Sequence, residues 1–347
     1  QTISFLFFGA AFGQIVYGPL ADRFGRKPVI VVTMLMFTVI SFLTVYAATP
    51  NSHSLARFLQ GATGAGGMII VRAIIRDLYD GAFSTKMFAY TMVGSSLMPI
   101  VAPIVGGHVT ELLGWKPNFF IIAGFGLVLT LSLVFWLKET GKRDFKALDA
   151  AEIVKSCVLL FKSKIFVCFT FITLGPFAGL LCILAGLSTV LIDFMGVSAS
   201  NFGYYFAIIM VGNLMASILA GKLSNILSSF KLIFIGALIC FLSGTAAYIF
   251  AFFGVVNPLS IVFPAAGFMI GFPLVISAAT AEAMSPFPMI AGKASSLIGL
   301  IQLGFGAVVS LILGWASDGT HYPLAIALMF SGIITIIPLR AVYNSNR

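Results

Sequence analysis

The chain has 347 residues, 60% of them hydrophobic and only 9% charged, with a mean hydropathy of +1.09 and a formal net charge of +9. That is far more apolar side chain than a water-soluble domain can bury, which excludes a soluble enzyme or binding module and makes lipid the solvent. Four scattered cysteines (Cys157, Cys168, Cys182, Cys240) and three single histidines have no metal or redox spacing, so no metal centre and no cofactor are expected.

Runs long enough to cross the hydrocarbon as helices, about 20 residues each, recur from end to end. They cover 1 to 20, 28 to 48, 54 to 75, 86 to 109 and 117 to 137, then 164 to 192, 200 to 221, 231 to 252, 257 to 281, 293 to 315 and 321 to 341. Their length selects helices over barrel strands, which alternate in polarity over about 10 positions. The predicted fold class is an all-α membrane protein.

The first run carries a lone amide, Gln14, and ends in "GPLADRFGRKP", where Asp22, Arg23, Arg26 and Lys27 put four charges into six residues. Gly18 and Gly25 suit close backbone approach and a tight turn. Asp22 is placed to meet Arg26, and Asp77 at the end of the third run falls on the same side. The expected device is a latch of Gly18, Asp22, Arg23, Gly25, Arg26 and Asp77; the competing reading is a basic anchor and nothing more.

Arg57 opens the third run roughly 5 to 8 Å below its polar boundary. A guanidinium at that depth is costly unless paired or reaching the headgroups. Arg57 and Gln60 therefore either line a central cavity, where the fixed charge tunes a carboxylate, or snorkel. "GATGAGG" at 61 to 67 lies inside this run, a context that excludes a phosphate loop and predicts close helix packing. In the fourth run Pro99 and Pro103 bend the helix while Gly106 and Gly107 admit a neighbour, which fits either a gate or ordinary small-residue packing.

The longest polar connection, 138 to 163, divides the chain into an amino-terminal bundle, 1 to 137, and a carboxy-terminal bundle, 164 to 347. In the second bundle Asn213 and Gln302 are lone amides that either face a cavity or bond across helices. "GKLSN" at 221 to 225 echoes "GPLAD" at 18 to 22, a weak internal repeat of the kind seen in transporters built from parallel halves. Eighteen of the 20 Lys and Arg fall on one side of the predicted bundle, leaving Lys116 and Arg57 opposite. The basic side is the cytoplasmic one and includes the central connection and the C-terminus. This asymmetry accounts for the net charge without a nucleic acid partner. None of the eleven acidic residues lies near the middle of a run, so no catalytic or proton-carrying residue is assigned.

"GPLADRFGRKP" resembles the loop signature of the major facilitator superfamily. "RFLQG" at 57 to 61 is similar to its fourth-helix signature. "APIVGG" at 102 to 107 resembles the fifth-helix motif of its drug:proton antiporters, with Ala102 where Gly is usual. "RAIIRD" at 72 to 77 and "SPFPMIAGKASSL" at 285 to 297 are similar to the bicyclomycin-resistance branch. The resemblance implies two pseudo-symmetric six-helix bundles, eleven helices being present here and the first one missing. It further implies a monomeric multi-pass carrier of a bacterial inner membrane, not an enzyme, exporting drugs or other small amphipathic compounds in exchange for protons. Its partners are then substrate, protons and the bilayer. A metabolite exporter of the same fold and a non-transporting sensor or scaffold are the alternatives.

Overall fold

The computed structural model describes residues 2–79, 81–141, 150–287 and 290–345. Every regular element among them is helical, as expected of backbone in lipid, where each N–H and C=O must be satisfied within its own segment. The helices are α1 (Thr2–Phe24), α2 (Arg26–Thr44), α3 (Pro50–Leu78), α4 (Gly81–Leu113), α5 (Lys116–Trp136), α6 (Ala150–Lys162), α7 (Lys164–Ser188), α8 (Ala199–Leu223), α9 (Ser229–Phe252), α10 (Pro258–Met284), α11 (Ala291–Ala316) and α12 (Tyr322–Ser345). A π-helical stretch, Thr189–Phe194, prolongs α7. Among the described residues ten helices are long and apolar enough to span a membrane, and α12 adds a shorter apolar stretch, Tyr322–Ile337.

Polar caps set the boundaries. Thr49 and Ser52 form a reciprocal capping box at the start of α3, with Ser52 N–H donating to Thr49 Oγ1 at 3.1 Å and Thr49 N–H to Ser52 Oγ at 3.0 Å. Ser163, Ser198 and Asn257 cap α7, α8 and α10 with side-chain oxygens.

Two features depart from the sequence expectation. The loop around Asp22 shrinks to one residue: α1 runs through the charged segment to Phe24, α2 begins at Arg26, and Gly25 alone, at φ 101°, reverses the chain. The polar connection 138 to 163 contains a helix of its own, α6; its positions 142–149, with Lys142, Arg143 and Lys146, lie outside the described residues, as do Gln1 and Arg347.

The chain forms two compact units, one of Thr2–Met98 and Val109–Lys155, the other of Pro99–His108 and the residues from Ser156 onward. In the first, α1 packs on α3, and α2 packs on α3 and α5. Gly9 and Gly61 sit at the α1–α3 crossing with no room for a Cβ against the Phe58 and Leu6 carbonyls, so small residues bring the two backbones together. Gly64, Gly66 and Gly67 of the glycine run face Phe37, Thr33 and Met34 of α2, in keeping with a packing role.

In the second unit α8 packs on α10, and α9 on α10 and α12, repeating the order of α1, α2, α3 and α5; α7 then fills the middle against α10, α11 and α12. Its core includes Leu187, Leu191, Ile209, Phe268 and Leu328, all fully buried, together with Cys182 and Cys240. The two thiols are unpaired apolar filler, Cys240 Sγ donating at most a weak bond to Phe268 O at 3.5 Å.

Candidate functional site

The charged segment at the α1–α2 turn is the densest polar structure in the first unit. Arg26, the first residue of α2, is the hub: its side chain is 11% exposed, and its guanidinium pairs with Asp22 one turn back in α1. The same guanidinium donates through Nε to Asp77 Oδ2 at 3.1 Å, at the far end of α3. The planar guanidinium suits this task, since its several donors reach two carboxylates from one position.

Glu139, beyond the end of α5, completes the cluster. Its carboxylate accepts the Arg26 N–H at 2.8 Å and the Lys27 N–H at 3.2 Å, two of the donors that the first turn of α2 leaves open. Thr140 and Gly141 N–H groups donate to it as well, at 3.0 and 2.9 Å. Partial burial pushes the Glu139 carboxyl up, but these four donors outweigh it and hold the group below the ordinary carboxylate range. Lys27 Nζ reaches back to the Val134 carbonyl at 2.9 Å, in the last turn of α5. An anion thus sits on the start of α2 and a cation on the end of α5, each at the helix terminus it complements.

Gly25 is shaped by the same cluster. Its φ of 101° is a conformation side chains rarely adopt, and the Glu139 carboxylate occupies the place a Cβ would take. Gly18 is different. Nothing lies within 4 Å of where its Cβ would stand, so the close approach expected there is absent. Arg23 lies with its guanidinium 5.5 Å over the Phe24 ring.

A second polar chain lies deeper. Arg57 stands about 10 Å along α3 from Pro50, and donates through Nη1 to Gln60 Oε1 at 2.5 Å; Gln60 Nε2 in turn donates to Ser41 Oγ of α2 at 2.8 Å. The guanidinium also sits 5.7 Å from the Phe119 ring centre. Gln60 is 2% exposed and anchors Arg57. Gln14 is half-buried on α1.

In the second unit the piece Pro99–His108 of α4 lies along the start of α8. α4 stays one continuous helix through Pro99 and Pro103. Gly107 has no space for a Cβ against the Ala199 carbonyl, nor Gly203 against the backbone of Pro103 and Ile104. His108 Nε2 lies 3.2 Å from Tyr204 Oη beside this seam. Gly106 belongs to the same turn. Asn213 on α8 and Gln302 on α11 each keep one buried side-chain atom without a partner among the described residues, Oδ1 and Nε2 respectively. No group of His, Cys, Asp or Glu among the described residues could hold a metal ion.

Membrane-length helices in repeated packing order, with charges gathered at one turn, define a multi-pass helical membrane protein. The family model of the Major Facilitator Superfamily matches residues 2–311, and the chain belongs to that family: it is a secondary transporter, not an enzyme. Among its relatives, a bicyclomycin resistance protein homolog of Haemophilus influenzae is 29% identical over 99% of this chain and 85% of its own length. The multidrug resistance protein D of Escherichia coli is 29% identical over 86% of this chain and 75% of its own. A D-xylose-proton symporter of known structure shares the fold with a TM-score of 0.73 at 16% identity, covering 97% of this chain and 86% of that one.

Of the expected latch residues, Asp22, Arg26 and Asp77 meet and Gly25 makes the turn. Glu139 was missed. A carboxylate that caps a helix 113 positions earlier leaves no local pattern to read.

Proposed function

We propose that the protein is a proton-driven exporter of drugs or other small amphipathic compounds in a bacterial inner membrane, working as a monomer by alternating access. The bundles 1 to 137 and 164 to 347 are its two moving halves, joined by the connection 138 to 163, which faces the cytoplasm with the C-terminus. The names of the relatives support this substrate class. The observation that carries a transport role for this chain is Arg57, a charge held deep in an apolar helix by Gln60 and Ser41. An ionisable side chain inside a membrane span is by default a functional-site candidate.

In this reading Arg26, bound to Asp22 and Asp77, is the cytoplasmic latch, and Arg57 fixes the charge against which protons and substrate are exchanged. Gln14, Asn213 and Gln302 offer polar contacts to substrate, the unpartnered atoms of the last two being the supporting feature. Pro99, Pro103, Gly106 and Gly107 form the opposing gate.

The test is transport in proteoliposomes under an imposed pH gradient, with bicyclomycin and a fluorescent amphipathic cation as probes. Gradient-driven uptake, abolished by a protonophore and by Arg57→Lys, is the expected result. No movement of either probe in protein that inserts and folds normally overturns the exporter reading and favours a sensor. Movement of the probes with Arg57→Lys fully active removes Arg57 from the mechanism.

A further inference from the structure

α6 has three features that do not belong to a linker. Its Leu160 is 1% exposed and packs with Phe166, Ala283, Ala294 and Ile298 from α7, α10 and α11, and Lys293 Nζ donates to Ser156 Oγ at 3.2 Å, so the helix is fixed in place. On the outward side Val158 is 47% exposed and Phe161 53%. At about 100° per residue these two stand roughly 160° and 100° around the helix from Leu160, and Lys162 adjoins them at about 200°. Finally, one capping residue, Ser163, separates α6 from α7, so its end lies within about one turn, ~5 Å, of where a membrane span starts.

Charge decides what covers the strip. From Ser156 to Ile165 the chain has two lysines, Lys162 and Lys164, and no acidic residue. Both lysines are exposed, and neither enters an ion pair among the described residues. An apolar strip edged by unpaired lysines at the level of the headgroups fits an anionic lipid surface, which takes apolar side chains into its acyl boundary and offers phosphates beside them. A soluble protein partner accounts for the charge but not for the depth.

We propose that α6 lies in the plane of the membrane surface and binds anionic phospholipid headgroups through Lys162 and Lys164, with Val158 and Phe161 seated in the acyl boundary. The proposal rests on the protein spanning the membrane and is independent of what it carries.

Hydrogen exchange of the α6 amides in nanodiscs tests it, comparing POPC alone with POPC and POPG at 3:1. Exchange at positions 156 to 162 is expected to be at least about tenfold slower with POPG at low salt, each lysine near an anionic surface strengthening binding about fivefold. The gain should shrink in 0.5 M NaCl, where charges are screened within about 4 Å. Lys162→Gln with Lys164→Gln should abolish it while leaving exchange in α8 unchanged, which shows the variant folded; Lys162→Arg with Lys164→Arg should keep it. Equal exchange in the two lipids overturns the proposal, and so does a POPG effect that survives the double Gln variant. Protection that appears only in discs holding two copies overturns it in favour of a dimer contact.

Discussion

The turn after α1 and the turn after α8 occupy matching places in a repeated packing order, and they are built differently. Between α1 and α2 there is one residue, Gly25, in a glycine-favouring conformation, with Glu139 on the start of the next helix. Between α8 and α9 the chain takes five residues, Ser224 to Ser228, winding through backbone bonds such as Leu227 N–H to Leu223 O at 2.8 Å. Gly25 aligns with Ser228, which starts α9 at an ordinary φ of −64° without a side-chain cap; Asp22 aligns with Asn225 and Arg26 with Ser229. The repeat therefore preserves helix order, while Lys222 and Lys231 beside the second turn enter no ion pair among the described residues. Among the described residues the polar cluster has no counterpart at the α8–α9 turn, so the repeated helix order does not by itself call for one.

Removing Arg26 gives the largest expected effect. Arg26→Ala leaves Asp22 and Asp77 without their shared cation and frees the ends of α1 and α3. The pairs are partly exposed, so the loss falls between that of a surface pair and a buried one, about 2 to 3 kcal/mol. Probe export in proteoliposomes should fall at least about tenfold if the latch closes the transport cycle. Stability measured by thermal unfolding in detergent should fall with it. Stability lost with transport retained would reduce the cluster to a structural tie.

Gly25→Ala comes next. The substitution forces an unfavourable φ and drives a methyl group into the Glu139 carboxylate, and backbone strain of this kind costs about 1 to 3 kcal/mol. Thermal unfolding gives the size, and loss of protection at the Arg26 and Lys27 amides in hydrogen exchange gives the place.

This cluster also marks where the sequence stops being legible. The membrane class and the eleven apolar runs are readable because lipid imposes one rule, about 20 apolar residues per crossing, on every span. Asp22, Arg26 and Asp77 are readable because they stand near span ends that must fall on one side. Glu139 is not, because its donors are backbone N–H groups, which every sequence has. α6 was hidden by its surroundings: read by composition, 138 to 163 is a charged connection, whereas a helical periodicity in Val154, Val158 and Phe161 was there to find. Gly18 shows the opposite error. A glycine inside a recognised motif suggests close approach, yet Gly18 and its counterpart Gly221 both face open space.

Glu139→Gln should have a smaller effect, about 1 kcal/mol, because the amide oxygen still accepts hydrogen bonds and only the charge is lost. Its signature lies in pH. The folded carboxyl is held below its ordinary value, so its contribution is complete above the usual carboxylate pKa and is lost as pH falls through that range toward the folded value. The difference in melting temperature between the wild type and Glu139→Gln should therefore be constant near neutrality and narrow on acidification below about pH 4.3. A difference that is flat down to pH 3 would mean that the cap depends on shape and not on charge.

The smallest expected effect sharpens the comparison from the other side. Gly221→Ala places a methyl group where nothing lies within 4 Å, in the last turn of α8. Alanine favours helix over glycine, so the variant should unfold at the same temperature as the wild type or slightly higher, a gain of at most about 1 kcal/mol, and transport should be unchanged. Gly18→Ala is the matched test on α1 and should behave the same way, because Gly18 also faces open space. If Gly18→Ala alone abolishes transport without destabilising the protein, the space beside it must be filled in another state of the cycle. The difference between the two turns would then lie in how they move as well as in the charges they hold.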